Sequence, residues 1–203
     1  MKKTANILML IIGVIFLFSC ENKDWEFSDY DYNTVYFPYQ YPIRTLVLGN
    51  YYYDNENDNN LKFLISARIG GMYYNKYNHE VNFKINENLV ENLSTSDNDS
   101  LIPLPSGYYT LNPENNLIIP KGEFFGSVEI QLSESFLNDT NAYKTCYVIP
   151  LQLTSTSADS ILRGIPKIDD PDPRVPGDWE ITPKDFTIFG IKFINPYHGK
   201  YLR

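Results

Sequence analysis

Tyrosine is the residue type whose number and spacing in this sequence most strongly suggest a binding chemistry. The chain of 203 residues contains 17 tyrosines, and two groups of them lie in loops rich in asparagine: Tyr51, Tyr52 and Tyr53, and Tyr73, Tyr74 and Tyr77. Flat aromatic rings pack on the apolar faces of sugars, while amide groups pair with sugar hydroxyls in fixed directions. The pattern predicts that these two loop tips together form a carbohydrate contact surface. The alternative is that the tyrosines pack the interior and edges of a β-sheet.

Groups suited to enzymatic catalysis are sparse. The two histidines, His79 and His198, lie on opposite sides of a predicted linker, and we expect each in a solvent-facing or turn position. Two such residues favour neither a histidine-based triad nor a histidine-rich metal site. Glycoside hydrolysis needs two carboxyl groups in one cleft, but Asp54, Glu56 and Asp58 fall in a loop where we expect water to keep them ionised. We therefore expect a protein that is not an enzyme and needs no cofactor.

The segment from Asp54 to Asn60 resembles a calcium-binding loop in one respect. It carries oxygen-bearing side chains at alternate positions, as an EF-hand loop does. However, Asn59 occupies the position of the glycine that makes the sharp turn, and Ile65 occupies that of the bidentate glutamate. We therefore expect a solvated hairpin loop here and no metal site.

Charge and composition exclude some classes of partner. The chain has 17 Lys and Arg against 25 Asp and Glu, which gives a formal net charge of −8. Nucleic acids and anionic membrane surfaces both require a basic footprint, so neither is expected as a partner. The hydrophobic content of 43% is enough for a packed core, and two cysteines are too few for a disulfide scaffold.

The first twenty residues have the pattern of a bacterial lipoprotein signal. Lys2 and Lys3 precede an apolar run from Ile7 to Phe18, which is too short for a membrane span of about 20 residues and suits a signal peptide over residues 1–19. The following Leu17-Phe18-Ser19-Cys20 resembles a lipobox. This resemblance implies cleavage before Cys20 and attachment of diacylglycerol to its thiol, which predicts an outer-membrane lipid anchor. The alternative is an ordinary secretory signal.

Residues 20–30 are expected to form a lipidated tether. Their Lys23-Asp24-Trp25-Glu26 run resembles the surface-export signals of Bacteroidetes lipoproteins, which favours the cell surface over the inner leaflet of the outer membrane. With Cys20 lipidated, Cys146 has no partner for a disulfide. Because Cys146 lies in an apolar run, we expect a buried, inert thiol.

Residues 31–164 are predicted to form an all-β domain. Short β-branched or aromatic runs alternate with Pro, Gly and Asn/Asp punctuation, and several runs bury every second residue. This pattern favours an antiparallel β-sandwich of two sheets over one core. The predicted strands are Thr34–Phe37, Arg44–Leu48, Leu61–Ile65, Glu80–Asn86, Ser127–Leu132 and Tyr147–Leu153. Pro150 predicts that the last of these is an edge strand or a bulged one.

Residues 165–203 differ from the preceding domain in composition. Residues 165–183 are rich in Pro and Asp and are expected to form a stiff linker close to polyproline II. Residues 184–203 contain a strong strand signal from Asp185 to Ile194. A single strand cannot satisfy its own edges, so this one either docks on the sandwich or begins a second domain that is incomplete in this chain.

The domain resembles a known family through short motifs that occur in order. These motifs are Thr34–Pro38, Ile65–Gly71, Pro105–Tyr109, Ile119–Gly122 and Ile149–Leu151. They resemble domain-of-unknown-function family 1735 of Bacteroidetes surface lipoproteins. The resemblance implies an immunoglobulin-like sandwich that stands N-terminal in proteins of glycan-utilisation loci, some with a second sandwich or lectin-like domain and a few with a glycoside hydrolase. It supplies no catalytic residues.

Two tripeptides resemble the O-glycosylation motif of Bacteroidetes secreted proteins. They are Asp99-Ser100-Leu101 and Asp159-Ser160-Ile161. The resemblance implies that Ser100 and Ser160 are candidate attachment sites.

These observations lead to one favoured function and two alternatives. We expect a non-catalytic lipoprotein of the cell surface that supports glycan capture, beside an outer-membrane importer. One alternative is an adhesion or assembly subunit whose strand near Ile188 pairs with the sheet edge of a neighbour. The other is an accessory domain of a glycoside hydrolase whose catalytic part is absent from this chain.

Overall fold

The computed structural model describes residues 28–95 and 98–197. The predicted signal peptide, Cys20, most of the predicted tether and His198 therefore lie outside the described residues. No helix in the described ranges is long and apolar enough to span a membrane.

The described ranges fold mainly into short β-strands. The strands are β1 (Thr34–Tyr36), β2 (Ile43–Val47), β3 (Lys62–Gly70), β4 (His79–Ile85), β5 (Ile102–Pro103), β6 (Tyr109–Asn112), β7 (Asn116–Ile119), β8 (Phe125–Leu132), β9 (Tyr147–Thr156), β10 (Ser160–Ile161), β11 (Ile165–Pro166), β12 (Trp179–Ile181) and β13 (Phe186–Ile194). Single helical turns form α1 (Glu56–Asn59) and α2 (Glu134–Leu137), and 3₁₀ turns cover Glu87–Val90, Ser106–Tyr108 and Pro176–Asp178.

The strands form two main sheets that pack on each other. A five-stranded sheet has the order β10-β1-β3-β8-β6, and a six-stranded sheet has the order β2-β13-β9-β4-β7 with β5 beside β9. The prediction of a β-rich fold with two sheets is confirmed. The prediction of antiparallel sheets is wrong in part, because β1 and β10, β2 and β13, and β5 and β9 pair in parallel. Each parallel pair joins segments far apart in the sequence, where no tight turn imposes an antiparallel arrangement.

The core lies between the two sheets and follows the period-2 pattern. Inward-facing side chains of β3 and β8 meet those of β4 and β9, while their sequence neighbours are more exposed. The contributing residues include Phe63, Ile65, Val81, Phe83, Val128, Ile130, Ile149 and Leu151. Full burial of such a side chain is worth about 1.5–3 kcal/mol, so this apolar layer dominates the stability of the domain.

Pro150 lies in the interior of the six-stranded sheet, so the edge alternative is wrong. The bulged alternative holds for the strand, because its pairing with β4 skips Thr154 between Ser155 and Leu153, away from Pro150. Its strand β9 pairs with β13 on one side and with β4 on the other. Opposite Pro150, the N–H of Ile188 donates to the carbonyl of Gln40 and not to β9, so this pair does not need the missing proline N–H. On the other side β4 ends at Ile85, and the Pro150 carbonyl accepts the N–H of Asn86 at 2.9 Å.

The Pro/Asp-rich segment 165–183 is folded and is not the extended linker that its composition predicts. Strands β11 and β12 pair within it. The Arg174 guanidinium binds the Asp172 carboxylate and donates to the Glu91 carbonyl at 2.6 Å, and the Trp179 indole N–H donates to the Asp172 carbonyl at 2.8 Å. These bonds replace water around the charged groups. The segment therefore lies as a strap against the rest of the domain and leads into β13.

Strand β13 is an interior strand of the six-stranded sheet. It pairs antiparallel with β9 and parallel with β2, from Gly190 opposite Ile43 to Ile194 opposite Val47. Its side chains lie on both faces of the sheet: Ile191 belongs to the main core, and Ile188 belongs to a small cluster on the outer face. The last strand of the described ranges therefore pairs with one side of β2.

Candidate functional site

The two predicted tyrosine groups lie at opposite ends of the sandwich. At the near end, where the chain enters the domain, Thr34 pairs with Gly70 at the end of β3. At the far end, Val47 pairs with Ile194, and β3 begins. The nine residues of β3 span roughly 26 Å at 3.3 Å per residue. The prediction that the two loop tips form one contact surface is therefore wrong, because β3 separates them along its whole length.

The near end presents five tyrosines, which we call the tyrosine platform. Three come from the loop between β3 and β4, and two come from the segment that precedes β1. Between 54% and 79% of each residue is exposed: Tyr30, Tyr32, Tyr73, Tyr74 and Tyr77. Tyr30 and Tyr32 were not among the predicted site residues, although the Tyr30-Asp31-Tyr32 run before the first strand carries the same aromatic and polar mixture.

A fully buried asparagine fixes the loop that carries three of these tyrosines. Asn75 has 0% exposure, and its amide nitrogen donates to the carbonyls of Pro120 and Glu123 at 2.9 Å each. Its amide oxygen accepts the N–H of Tyr77 at 3.2 Å and lies 3.1 Å from Nε2 of His79. The amide thus ties the β3–β4 loop to the β7–β8 loop. A loop fixed in this way loses little further conformational entropy when a ligand binds.

His79 belongs to this buried network. Only 6% of the residue is exposed, so the prediction of a solvent-facing or turn position is wrong. His79 is the first residue of β4, and its side chain points inward, where one ring nitrogen forms a hydrogen bond with the Asn75 amide oxygen. His79 therefore has a structural position beneath the platform.

The segment before β1 closes the platform from the other side. The N–H of Tyr30 donates to the Gly71 carbonyl at 3.1 Å, and the N–H of Tyr73 donates to Asp29. Gly71 has a φ of +99°, and a Cβ there would lie 2.5 Å from the backbone oxygen of Tyr32. Only glycine permits this close approach, so Gly71 determines how the two tyrosine-bearing segments meet.

Concave surfaces accompany the platform. A hollow of about 570 Å³ lies between Ser28–Tyr30 and Gly71–Tyr73, and a smaller one of about 160 Å³ lies beside Tyr74 and Tyr77. The rims carry acidic, amide and lysine side chains. Exposed rings next to groups that donate and accept hydrogen bonds are the combination that saccharide recognition uses.

The far-end tyrosines are arranged differently. The centroid of the Tyr53 ring lies 5.6 Å from that of Tyr51 and 5.2 Å from that of Tyr52, so Tyr53 packs against both of its neighbours. The loop is fixed at its base, where Asn55 donates to the carbonyls of Val47 and Gly49 at 2.7 and 2.8 Å. Tyr52 itself is 97% exposed.

The Asp54–Asn60 segment caps a sheet edge, and the prediction of a solvated hairpin loop is wrong. It contains the helical turn α1, and Asp58 is only 4% exposed. One Asp58 carboxylate oxygen accepts the N–H of Val47 at 2.9 Å, while the other pairs with Arg44. Since β2 is an edge strand, these side chains occupy hydrogen-bonding groups that would otherwise be open to another strand. In the described part of the chain, no cluster of three or more His, Cys, Asp or Glu side chains is arranged to hold a metal ion.

The remaining candidate residues have distinct environments. Ser100 is exposed, whereas Ser160 is half-buried in β10, where its hydroxyl lies 2.7 Å from the Thr34 hydroxyl and donates to the Asn33 carbonyl. Attachment of a sugar to Ser160 would remove the hydrogen that its hydroxyl donates to the Asn33 carbonyl. Cys146 is buried, as its apolar run predicts, and burial raises the pKa of its thiol.

Comparison with known proteins identifies a family and a fold. A family model described as "-like, N-terminal domain" matches residues 30–160. Among solved structures, the chain is similar to a structural-genomics protein of unknown function from Bacteroides ovatus, with 42% sequence identity and a TM-score of 0.80. That likeness covers 85% of this chain and 55% of the other. No curated protein matches the chain.

Two other solved structures are similar to the chain at low sequence identity. A multidomain protein from Bacteroides ovatus that includes DUF1735 gives a TM-score of 0.50 at 11% identity, over 83% of this chain and 47% of the other. An auxiliary nutrient binding protein from Bacteroides thetaiotaomicron gives a TM-score of 0.41 at 13% identity, over 77% of this chain and 46% of the other. The chain therefore spans about half the length of each of these three structures.

Proposed function

The chain belongs to the "-like, N-terminal domain" family that matches residues 30–160, and from this premise we propose that it is a non-catalytic, lipid-anchored module that captures glycan at the cell surface. The observation that carries the proposal is the tyrosine platform, in which five exposed rings lie at one end of the sandwich and the buried Asn75 amide fixes the loop that carries three of them. We assign capture to the platform and not to Tyr51–Tyr53, because the far-end rings contact one another. The immunoglobulin-like sandwich and the membership in family 1735 are part of the same proposal.

The position of the platform suits delivery of a glycan to a membrane importer. The chain enters the domain beside Tyr30, so a lipidated Cys20 would be separated from Ser28 by eight residue steps. Even fully extended, these span at most about 28 Å at 3.5 Å per residue. The platform would then lie close to the membrane, where an outer-membrane importer could receive what it binds.

Affinity electrophoresis in gels that contain a neutral polysaccharide, such as xylan, mannan or amylopectin, tests glycan capture. We expect the triple variant Tyr73→Ala/Tyr74→Ala/Tyr77→Ala to lose about tenfold or more in affinity, because each ring contributes about 0.5–1.5 kcal/mol of contact energy. The matched control is Tyr51→Ala/Tyr52→Ala/Tyr53→Ala, which removes three rings at the far end and should leave retardation unchanged. Thermal unfolding of both variants checks that they fold.

Two results would overturn the assignment. If the near-end variant is folded and retarded like the wild type, the platform does not bind glycan. If the far-end variant loses affinity instead, the site lies at the other end of the sandwich.

Lipid anchoring has its own test. We expect metabolic labelling with an alkyne-tagged fatty acid to mark the wild-type protein and to leave Cys20→Ala unmarked, because the proposed acyl chains are attached through this cysteine. Protease treatment of intact cells should then degrade the anchored protein. Labelling of Cys20→Ala would contradict the assigned attachment site, and full protection from protease would contradict surface exposure.

A second role is favoured by the lengths of the similar structures. Because the chain spans about half of each, it corresponds to one part of a longer protein in those cases. This supports an accessory module that acts beside another domain, such as a glycoside hydrolase. The strand-addition alternative has less support, because β13 already pairs with β2 and β9 on its two sides.

A further inference from the structure

A groove on the outer face of the six-stranded sheet is separate from the tyrosine platform. Its volume is about 690 Å³, within the range of about 300–1,000 Å³ that is usual for ligand sites. Val148 and Ile188, each 2% exposed, lie on its floor beside Gly190. Its walls come from Tyr41–Ile43 on the β2 side and from Tyr143–Thr145 before β9.

The groove exists because the outer face of the sheet is only partly covered. The 3₁₀ turn at Glu87–Val90 covers Phe186 and part of the Val148 and Ile188 side chains. Beyond it the floor continues to Gly190, in the interior of β13, where a Cβ would lie 3.2 Å from Cγ1 of Ile43. Glycine inside a strand often marks a place where another group approaches the backbone closely.

Both walls are held in place before any ligand arrives. Tyr41 is 54% exposed and packs edge-on against Phe186, with ring centroids 6.1 Å apart. The segment that carries Tyr143, which is 44% exposed, is tied down by Asp139, whose carboxylate accepts the hydroxyl of Tyr147 at 2.6 Å. Fixed rings of this kind bind flat apolar surfaces at low entropic cost.

The charges that line the groove nearly cancel. The Arg174 guanidinium is already bound to Asp172 and to the Glu91 carbonyl, so it acts as a fixed wall. Lys144 and Asp99 add one charge of each sign at the rim. In a chain of net charge −8, such a lining offers no attraction for a polyanion.

We propose that this groove is a second binding site, for a short segment of a neutral saccharide. Its two tyrosine rings and apolar floor suit the apolar faces of sugar rings, and hydroxyl, carboxylate and amine side chains at the rim suit sugar hydroxyls. An extended apolar peptide is less suited, because these rim groups would lose water without gaining partners. The ligand class rests on the proposed function, whereas the site is independent of the platform.

The experiment measures the retardation of the mature chain by affinity electrophoresis in gels that contain xylan, mannan or amylopectin. Heparin serves as an anionic probe. Two groove variants are used, Tyr143→Ala and Ile43→Glu. Ile43 is 59% exposed, so the charged side chain should not disturb the core. The matched controls are Tyr52→Ala, at an exposed tyrosine outside both sites, and Ile118→Glu, at a residue 54% exposed on the other edge strand of the same sheet.

In a polysaccharide that retards the wild type, we expect each groove variant to lose about fivefold in affinity and each control to be unchanged. Groove variants that match their controls would refute the groove while leaving the platform untouched. Loss in the groove variants with no loss in the near-end triple variant would support the groove and refute the platform. Retardation by heparin alone, or by no polysaccharide, would refute the neutral saccharide as ligand, and in the second case the proposed function as well.

Discussion

The two tyrosine loops differ in where they are fixed. In the near-end loop, Asn75 lies between Tyr74 and Tyr77 in sequence and is fully buried beneath them. In the far-end loop, Asn55 binds backbone groups of Val47 and Gly49 at the base, and the tyrosines pack on each other. Both loops expose aromatic rings, so exposure alone does not distinguish a binding surface. The two loops differ in the position of the hydrogen bonds that fix them.

The difference follows from what each loop connects. The near-end loop joins β3 in one sheet to β4 in the other, and on the way it passes the β7–β8 loop, whose carbonyls accept N–H bonds from the Asn75 amide. The far-end loop leaves the edge strand β2, and the polar side chains that follow it serve to cap that edge. Asparagine-rich sequence therefore orders the loop of the tyrosine platform at one end and protects a sheet edge at the other.

The largest expected difference between the two ends is in the cost of removing the fixing amide. Asn75→Ala removes a fully buried amide that donates to the carbonyls of Pro120 and Glu123 and accepts the N–H of Tyr77, which should lower the free energy of unfolding by about 3 kcal/mol. Asn55→Ala should cost about 1 kcal/mol, because Asn55 is half-buried and water can replace its bonds. Urea unfolding of both variants measures the difference.

Glycan retention provides the second half of this comparison. Asn75→Ala should also weaken retardation in the polysaccharide gel, because the platform loses its fixed geometry, whereas Asn55→Ala should not. Equal unfolding costs for the two variants would show that the near-end loop is no better fixed than the far-end loop.

A matched pair of glycines distinguishes the ends more finely. Gly71 and Gly49 both have positive φ, at +99° and +104°. A Cβ at Gly71 would meet the backbone oxygen of Tyr32 at 2.5 Å, whereas one at Gly49 would meet the side chain of Pro196 at 2.7 Å. Since a Cβ at Gly71 would also meet the Asn33 Cα at 3.2 Å, whereas one at Gly49 would meet only ring atoms of Pro196, Gly71→Ala should cost about 2 kcal/mol and Gly49→Ala about 1 kcal/mol. Thermal unfolding checks the order, and a larger cost at Gly49 would contradict it.

Much of the fold could be predicted from local pattern, and its connections could not. Alternating apolar residues indicated β4, β8 and β9 because each buries one face. The two-residue strands β5 and β10 are too short to show a period. The strand signal near Ile188 was clear, but its place between β2 and β9 depends on contacts with segments far away in sequence.

The sequence predicts which residue types form the candidate site, but it does not predict where in the fold they come together. The exposure of Tyr73, Tyr74 and Tyr77 is that expected of tyrosines in polar loops. Strand β3 separates them from Tyr51–Tyr53. This separation depends on the topology, which the apolar periodicity of a single sequence does not reveal. Asn75 gave no signal, because one buried asparagine in a segment with many asparagines is identified only by its four partners.

The smallest expected effect concerns acid sensitivity at the far end. There the ionised carboxylate of Asp139 fixes a segment by hydrogen bonds, as the neutral amide of Asn75 does in the near-end loop. The hydroxyl of Tyr147 and the N–H of Asn141 both donate to Asp139 and lower the pKa of its carboxyl. Burial and the same carboxylate raise the pKa of Tyr147 to about 12, so its hydroxyl remains a donor. Because the Asp139 pKa is lowered by folding, its stabilisation is present above the ordinary carboxyl pKa and is lost as the pH falls through the folded value.

Hydrogen exchange between about pH 2.5 and about pH 6 should show that the protection of residues 138–145 falls as the pH is lowered. In Asp139→Asn the protection of these residues should be weaker at the upper pH and should depend less on pH, and an unchanged pH profile in this variant would show that Asp139 does not fix the wall of the groove.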